Sequence, residues 1–326
     1  MMSTRRSGRR SKPAGCLLII AVIVIVIILA LLLWYLLAGR LHLPKPTKPG
    51  SEQPPTSQSA DCPDVFMLSV PGTWESNSND DPYNPTANPA SLMLNISNPV
   101  REKFDNKRLE LYTVPYVAQF SNPIAIPPDG QASYNKSRSE GYDRANAKLA
   151  ETYKNCPLTT YVLAGFSQGA VIAGDLAAQI GAGKGPVPAK QVLGVTTIAD
   201  GRRDEGGEGK AQEIGFSPAG VGAEVALKGL NVPGITMTGP RAGYGALADR
   251  TYTICASGDL ICDSPAAALN PANILGSIGT LVRAAGNPVH SLYNGFVVDE
   301  NGTTATQWTV NWASGLIENA PHPAHS

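Results

Sequence analysis

The chain has 326 residues, of which 43% are hydrophobic and 16% are charged, a composition typical of a folded globular protein rather than a disordered one. Its formal net charge is zero, but residues 1–61 carry eight Lys or Arg against two acids, which leaves 18 cations and 24 anions on the rest. That larger part has no basic surface, so we expect no nucleic-acid partner.

The first predicted element is a membrane anchor over residues 17–38, an uncharged run that is long enough to cross a bilayer as a helix. Residues 1–16 form a basic tail without acids, which predicts that the N-terminus stays in the cytoplasm. A cleaved signal peptide is the alternative, but its apolar core is usually about 7–15 residues. We therefore expect a single-pass plasma membrane protein whose remaining chain lies outside the cytoplasm, on the periplasmic or cell-wall side.

A proline-rich linker is predicted over residues 39–61, because prolines mixed with Ser, Thr and Lys favour a semi-extended tether. Residues 62–320 then form one domain of a size that suits a single α/β fold. Residues 321–326 are expected to be a flexible tail. We expect the ectodomain to be monomeric.

Four cysteines lie in this exported part, and an even number suggests two disulfides with three possible connectivities. The short separation of Cys255 and Cys262 favours their pairing, which leaves Cys62 with Cys156. The C-x6-C spacing of Cys255 and Cys262 is unlike that of a zinc-binding pair, and no histidine lies beside it. We expect neither a metal nor another cofactor.

Buried strands are predicted where short apolar runs occur, and helices where the apolar spacing is helical. The strands are expected at 65–72, 108–118, 159–165, 191–201 and 250–259. Helices are expected at 137–156, with Tyr142, Leu149 and Tyr153 on one face, and at 168–183. This alternation predicts an α/β fold with a mostly parallel sheet covered by helices on both faces.

Two further segments complete the predicted domain, one of them irregular and the other a helix near the end of the chain. Residues 201–248 are rich in glycine and weakly periodic, which predicts a long excursion over one face of the domain. Towards the C-terminus, Trp308, Trp312 and Leu316 recur at every fourth position, as expected of a helix stripe that packs against the core.

The sequence "GFSQG" at 165–169 is a G-x-S-x-G motif, which alone is a weak signal in a glycine-rich chain. Its context strengthens it, because a predicted strand precedes the motif and a predicted helix follows, the order that a nucleophile elbow requires. Gly165 and Gly169 would avoid clashes around the strained serine. Ser167 is therefore the candidate nucleophile, and the N–H of Gln168 is a candidate oxyanion donor.

A near-copy of the motif, "GFSPAG" at 215–220, provides an internal comparison. Pro218 follows Ser217 there, so the N–H that would stabilise an oxyanion is missing, and no strand is predicted before the segment. This copy is not expected to be catalytic.

The base and the acid follow from the few candidates that remain. His42 lies in the linker, and His322 and His325 lie in the tail, so His290 is the candidate base. Asp259 follows a predicted strand between serine and histidine in chain order, as the third member should, with Asp263 as the runner-up. Asp175 and Asp200 are expected to be solvated or helix-capping residues.

The second oxyanion donor should lie in the loop after the first strand, "SVPGTWESN". Thr73 in that loop could supply its N–H and its hydroxyl, although a plain turn threonine is the alternative.

Taken together, "VPGTWES", "LAGFSQGA", "CASGDLIC" and "NPVHSLY" make residues 62–320 resemble the cutinase family of serine esterases. The resemblance implies an α/β-hydrolase fold with a five-stranded parallel core, the triad Ser167, Asp259 and His290, and an oxyanion hole of Thr73 and Gln168. Cys62 precedes Thr73 by the same separation as Cys156 precedes Ser167, which matches the first disulfide of the family.

Two departures from the usual family pattern are the anchor and the long segment between Asp259 and His290. Both resemble the membrane-anchored cutinase-like proteins of mycolic-acid-bearing actinobacteria, which are similar to phospholipase A and thioesterase enzymes of envelope lipid metabolism. The segment 264–289 includes an apolar, helix-like part, and we expect Ile274, Leu275 and Ile278 to wall an acyl-chain site. An ordinary packing helix is the alternative.

The expected function is therefore an extracytoplasmic serine esterase or lipase that hydrolyses acyl esters or thioesters of lipids. An acyltransferase with a sugar or lipid acceptor, and a broad short-chain carboxylesterase, are the alternatives. A non-catalytic binding protein is disfavoured by the complete set of candidate residues.

Overall fold

The computed structural model describes residues 14–37, 55–204, 209–216, 218–266 and 268–326. The chain divides into two units, Met1–Pro54 and Pro55–Ser326. The first unit contains helix α1 (Ala14–Leu37), whose side chains are described for residues 22–35. In what is described, no helix is both long enough and apolar enough to span a membrane. Most of the predicted basic tail and of the predicted linker lies outside the described residues.

The second unit alternates strands and helices, as the apolar pattern predicted. Its helices are α2 (Leu94–Lys103), α3 (Tyr134–Asn155), α4 (Gln168–Gly181), α5 (Ala223–Ala226), α6 (Ile274–Ala285) and α7 (Ala305–Glu318). Its strands are β1 (Ser57–Gln58), β2 (Val65–Val70), β3 (Leu109–Thr113), β4 (Thr160–Phe166), β5 (Val192–Ile198), β6 (Gln212–Glu213), β7 (Asn231–Val232), β8 (Ile235–Thr236), β9 (Thr251–Ile254) and β10 (Ala324–His325).

The central sheet has the order β3-β2-β4-β5-β9-β6, and every neighbouring pair is parallel. All residues of β2 and β4 are buried, as expected for strands covered on both faces. The five predicted strands are confirmed, but the sheet has a sixth, β6, within the predicted glycine-rich excursion. Strand β6 has only two residues and pairs only with β9. A strand of this length leaves no periodic signal in the sequence, so it could not be predicted from the apolar pattern.

Helices cover the two faces of the sheet through separate hydrophobic clusters. The cluster on one face includes residues of α2 and α7, and the predicted stripe of Trp308, Trp312 and Leu316 packs against it. The cluster on the other face includes residues of α3 and α4, with Leu149 buried and Tyr142 and Tyr153 packed beside it. Both packing predictions are confirmed, whereas α2 was not predicted and contains Pro99, a residue that disfavours helix.

A third cluster joins two segments that are distant in sequence. It contains Leu227, Leu230 and Ile235 from the predicted excursion and Ile278 and Leu281 from α6. The two segments, 223–238 and 268–285, are called the cap below. The cap packs on Tyr134 at the start of α3, so it lies beside the carboxyl edge of the sheet.

Ion pairs attach the rest of the predicted excursion to α4. Asp175 lies 2.7 Å from both Arg202 and Arg241, and Arg241 lies 2.5 Å from Asp200. Asp200 is only 1% exposed. The prediction that Asp175 and Asp200 are solvated or capping residues is therefore wrong, because their arginine partners come from a segment with no recognisable pattern.

The C-terminal residues are paired with the start of the domain. β10 lies parallel to β1, and the carboxylate of Asp64 lies 2.9 Å from ring nitrogens of both His322 and His325. A flexible tail was expected for 321–326, but its two histidines bond to Asp64. The composition of the tail could not indicate this partner.

Both disulfides follow the predicted pairing. Cys62 is bonded to Cys156 and Cys255 to Cys262. The first links the start of β2 to the end of α3, and the second closes the loop that contains Asp259.

Candidate active site

The serine motif forms a tight turn between β4 and α4. Ser167 has φ 56° and ψ −120°, a conformation that is unfavourable for a residue with a side chain. A Cβ on Gly165 would lie 2.3 Å from the carbonyl oxygen of Gly169, and a Cβ on Gly169 would lie 2.1 Å from that of Val70. Neither contact is sterically possible, so both glycines are required by the close approach of backbone to backbone. The predicted strand–turn–helix arrangement is confirmed.

Ser167, His290 and Asp259 form one hydrogen-bonded row, although they are far apart in sequence. The Oγ of Ser167 lies 2.8 Å from Nε2 of His290. The Nδ1 of His290 lies 2.9 Å from Oδ2 and 3.1 Å from Oδ1 of Asp259, a residue with no exposed surface. The ring of His290 also stacks on Phe166, with centroids 5.0 Å apart.

Asp263, the runner-up for the acid, is engaged elsewhere. Its Oδ1 accepts the N–H of Gly220 at 2.9 Å and its Oδ2 accepts the N–H of Gly258 at 2.7 Å. Asp263 therefore braces its own loop, while Asp259 is the carboxylate that faces the histidine.

Tyr293 is a further member of this row that sequence reasoning missed. Its hydroxyl donates to Oδ2 of Asp259 at 2.7 Å and accepts the N–H of Ala256 at 3.0 Å. The side chain is fully buried, and this burial, followed by the charge of Asp259, raises the pKa of Tyr293 well above its ordinary value. The phenol therefore stays a donor to the carboxylate. The only feature of the sequence that could have pointed to Tyr293 is its position just after His290.

Thr73 and Gln168, the predicted oxyanion donors, line the same cavity as Ser167. Neither Thr73 nor Gln168 donates its N–H to another backbone or side-chain group among the described residues. Gln168 is the first residue of α4, where the helix dipole also favours negative charge. Its side chain is held in place by the hydroxyl of Ser137, which donates to Oε1 at 2.6 Å.

The loop that carries Thr73 is held by Glu75. The carboxylate accepts the N–H of Gly72 at 2.9 Å and that of Leu92 at 2.5 Å, and the N–H of Glu75 donates back to the carbonyl of Gly72 at 3.1 Å. Burial raises the pKa of Glu75, although the backbone N–H donors oppose that shift. This brace was also missed by sequence reasoning, because a lone glutamate in a loop carries no pattern.

A cavity of about 450 Å³ opens over Ser167 and His290. Five residues of the lining, called the apolar half, belong to the same hydrophobic cluster as the cap: Phe120, Tyr134, Ala223, Met237 and Leu281. Other residues of the lining carry polar groups and are called the polar half: Trp74, Asn88, Asn287, Ser291 and Asn294. The cavity at Ser167 is thus lined by both apolar and polar side chains.

The predicted acyl-chain wall needs correction at the level of residues. Helix α6 does contribute to the cavity lining, but through Leu281. Ile274 and Leu275 are 38% and 72% exposed, and Ile278 is buried in the cluster behind the lining. The face of α6 that meets the cavity depends on how the cap packs. The helical spacing of the apolar residues alone could therefore not show which of them line the cavity.

The prediction that no strand precedes the near-copy of the motif is wrong, because β6 ends at Glu213, just before Gly215. Ser217 itself lies outside the described residues. Within the described ranges, no group of His, Cys, Asp and Glu side chains is arranged to hold a metal ion.

Comparisons with known proteins show which family the chain belongs to. The cutinase family model matches residues 83–273. A carboxylesterase Culp6 homolog of Corynebacterium glutamicum is 46% identical over 282 residues, which cover 84% of this chain and 87% of that protein.

Two solved structures are also similar to the chain. The catalytic core domain of acetyl xylan esterase from Trichoderma reesei is 18% identical with a TM-score of 0.45, over 80% of this chain and 100% of that chain. A cutinase-like protein from Cryptococcus sp. is 15% identical with a TM-score of 0.44, over 83% of this chain and 100% of that chain. On the family-model match and the Corynebacterium relative, this chain belongs to the cutinase family.

Proposed function

We propose that this chain is a serine carboxylesterase in which Ser167 is the nucleophile, His290 the general base and Asp259 the acid that orients the base. The observation that carries the proposal is the unbroken row from Ser167 Oγ through the His290 ring to the Asp259 carboxylate. The N–H groups of Thr73 and Gln168, which have no acceptor within the described part of the chain, support it. The name of the 46% identical relative, a carboxylesterase homolog, agrees with this reaction.

The proposed reaction has two halves. His290 Nε2 takes the proton of Ser167 as Oγ attacks the ester carbonyl, and the Asp259 carboxylate stabilises the imidazolium that forms. The N–H groups of Thr73 and Gln168 bind the oxyanion. The imidazolium then gives its proton to the leaving alcohol, which leaves an acyl-enzyme. Water attacks this ester with His290 again as the base, and the acid product departs.

We further propose that the acyl part of the substrate lies in the apolar half of the cavity. Apolar side chains of the cap belong to this half, and burial of each methylene of an acyl chain there contributes about 0.8 kcal/mol. This supports lipid acyl esters or thioesters as substrates, including those of phospholipase A and thioesterase type. Acyl transfer is a second candidate, because the polar half offers an acceptor alcohol a place beside the acyl-enzyme.

We propose that the enzyme acts outside the cytoplasm as a monomeric domain anchored through residues 17–38. The long uncharged run and the basic residues before it support an anchor with a cytoplasmic N-terminus. The two disulfides support an oxidising compartment for the domain.

Labelling with a fluorophosphonate tests the nucleophile. The full chain in detergent is expected to be labelled once, and Ser167→Ala is expected to lose labelling and nearly all ester hydrolysis, about 10⁴-fold or more in kcat. The matched control is Ser217→Ala in the near-copy "GFSPAG", which should react as the wild type does. Labelling of Ser167→Ala at the wild-type rate would refute the proposed mechanism.

Truncation of Leu281 tests the acyl chamber. Leu281→Ala enlarges the apolar half, so we expect the preferred acyl chain in a series of p-nitrophenyl esters to become longer, with a loss of about 2–4 kcal/mol in stability. Leu275→Ala is the matched control, since it makes the same change at an exposed position of the same helix. If Leu281→Ala keeps the wild-type chain-length profile, as Leu275→Ala is expected to, the acyl chain does not lie in the apolar half.

A further inference from the structure

Glu75 holds the peptide group between Gly72 and Thr73, the group that carries the N–H of Thr73. The carbonyl oxygen of this peptide group accepts the backbone N–H of Glu75 at 3.1 Å. The group is trans, and a trans peptide group is planar, with its carbonyl and its N–H pointing in opposite directions. The bond from Glu75 to the carbonyl therefore also sets the direction of the Thr73 N–H.

The side chain of Glu75 closes the same turn through a second pair of bonds. Its Oε2 accepts the N–H of Gly72 at 2.9 Å, and its Oε1 accepts the N–H of Leu92, two residues before α2, at 2.5 Å. Each oxygen thus serves a different backbone donor. A carboxylate accepts through both oxygens, whereas the amide of a glutamine has one acceptor oxygen and an NH₂ group. The arrangement therefore requires a carboxylate.

The segment before the turn is fixed against the serine elbow. A Cβ on Gly72 would lie 2.8 Å from Cδ1 of Phe166, so the backbone of Gly72 is in close contact with the residue that precedes Ser167. The hydroxyl of Tyr116 donates to the carbonyl of Pro71 at 2.7 Å. These contacts set the position of the segment relative to Ser167, and the bonds from Glu75 set the orientation of the peptide group that follows.

The two glutamates of the cavity lining differ in their partners. Glu224 is paired with Arg138 at 3.0 Å, whereas Glu75 has no ion pair within the described part of the chain. Burial raises the pKa of Glu75, and the backbone N–H donors oppose that shift. A carboxylate that is kept in the lining without a cation, with both oxygens bonded to backbone, stabilises the loop rather than a ligand.

We propose that Glu75 is a positioning residue of the esterase reaction, which directs the Thr73 N–H towards the oxyanion by holding the Gly72–Thr73 peptide group. The inference rests on the proposed esterase function. The oxyanion exists only in the transition state and the tetrahedral intermediate, so loss of this support should lower kcat and leave substrate binding largely unchanged.

Glu75→Gln tests this role in the full chain in detergent. The variant keeps the size and the backbone N–H of Glu75 but leaves one backbone donor facing an NH₂ group. With a p-nitrophenyl ester as substrate, kcat per fluorophosphonate-titratable site is expected to fall about 10- to 100-fold, while KM changes by less than about threefold. Glu75→Ala, which lacks both acceptor oxygens, should lose at least as much.

Glu140→Gln is the matched control for the change from carboxylate to amide. Glu140 lies on α3 and accepts from the hydroxyl of Ser78 at 2.7 Å and from Arg144 at 2.9 Å, away from the turn at Gly72. We expect its kcat and KM to stay within about threefold of the wild type.

A trifluoromethyl ketone with the same acyl chain reports on the oxyanion donors without turnover. Ser167 Oγ adds to its carbonyl carbon, the serine proton passes to His290, and the former carbonyl oxygen becomes an oxyanion. Glu75→Gln should weaken inhibition by about the same factor as kcat/KM falls.

Two results would overturn the proposal. One is wild-type inhibition by the ketone in a Glu75 variant whose kcat is reduced, because the loss would then not lie in the oxyanion donors. The other is wild-type kcat in both Glu75 variants. Either result leaves fluorophosphonate labelling of wild-type Ser167 intact, whereas absence of that labelling would refute the esterase function itself.

Discussion

Replacement of Asp259 by asparagine is expected to lower kcat for ester hydrolysis about 10³- to 10⁴-fold. The carboxylate is met by three donors, the Nδ1–H of His290, the hydroxyl of Tyr293 and the N–H of Ile261. Asparagine has one acceptor oxygen, so its NH₂ group would face one of these donors. His290 would then lose both the charge that stabilises its imidazolium form and the partner that selects its tautomer.

Asp263→Asn is the matched control for this substitution, because it makes the same change at a nearby position of the same loop region. The carboxylate of Asp263 bonds to backbone N–H groups and does not contact His290. We expect kcat per fluorophosphonate-titratable site to change by less than about threefold, with some loss of stability. A loss in Asp263→Asn as large as that in Asp259→Asn would show that the acid has been misassigned.

Replacement of Gly169 by alanine is expected to have the largest effect on the fold, a loss of about 3 kcal/mol or more in the free energy of unfolding. The new methyl group would lie 2.1 Å from the carbonyl oxygen of Val70 and 2.4 Å from that of Pro71. Both are backbone atoms, so they cannot move aside as a side chain would. The displaced segment leads into Thr73, so the oxyanion hole should open and activity should fall as well.

Gly315→Ala provides the matched control, since it is also a glycine-to-alanine change within a helix. Nothing lies within 4 Å of the position that its Cβ would take, so stability should stay the same or rise by about 0.5–1 kcal/mol. Denaturant unfolding of both variants gives the comparison. Equal stability of Gly169→Ala and wild type would mean that the elbow is not packed as described.

The choice between Asp259 and Asp263 illustrates how far a sequence argument reaches. Both aspartates follow the same strand and lie in or beside the same disulfide loop, so chain order ranks them but cannot orient them. The orientation depends on Tyr293 and His290, which come from a loop that follows α6. The same limit explains why α6 was expected to line the cavity with Ile274, Leu275 and Ile278, when Leu281 does so.

The sequence by itself determined the features that depend on local backbone geometry and on elimination. These are the five main strands, the elbow at Ser167 with its two required glycines, the pairing of the cysteines, and His290 as the remaining base. Each follows from short-range periodicity, from steric demands between neighbours in the chain, or from a small number of candidates.

The tertiary structure alone decided what depends on contacts between distant segments. In the folded domain, 223–238 and 268–285 pack together as the cap, and the C-terminal residues pair with β1. Asp175 and Asp200 form ion pairs with arginines. Tyr293 bonds to Asp259, and Glu75 holds the loop that carries Thr73. Such contacts leave no periodic trace in the chain, because each partner is a single side chain whose direction is set only when the layers pack together.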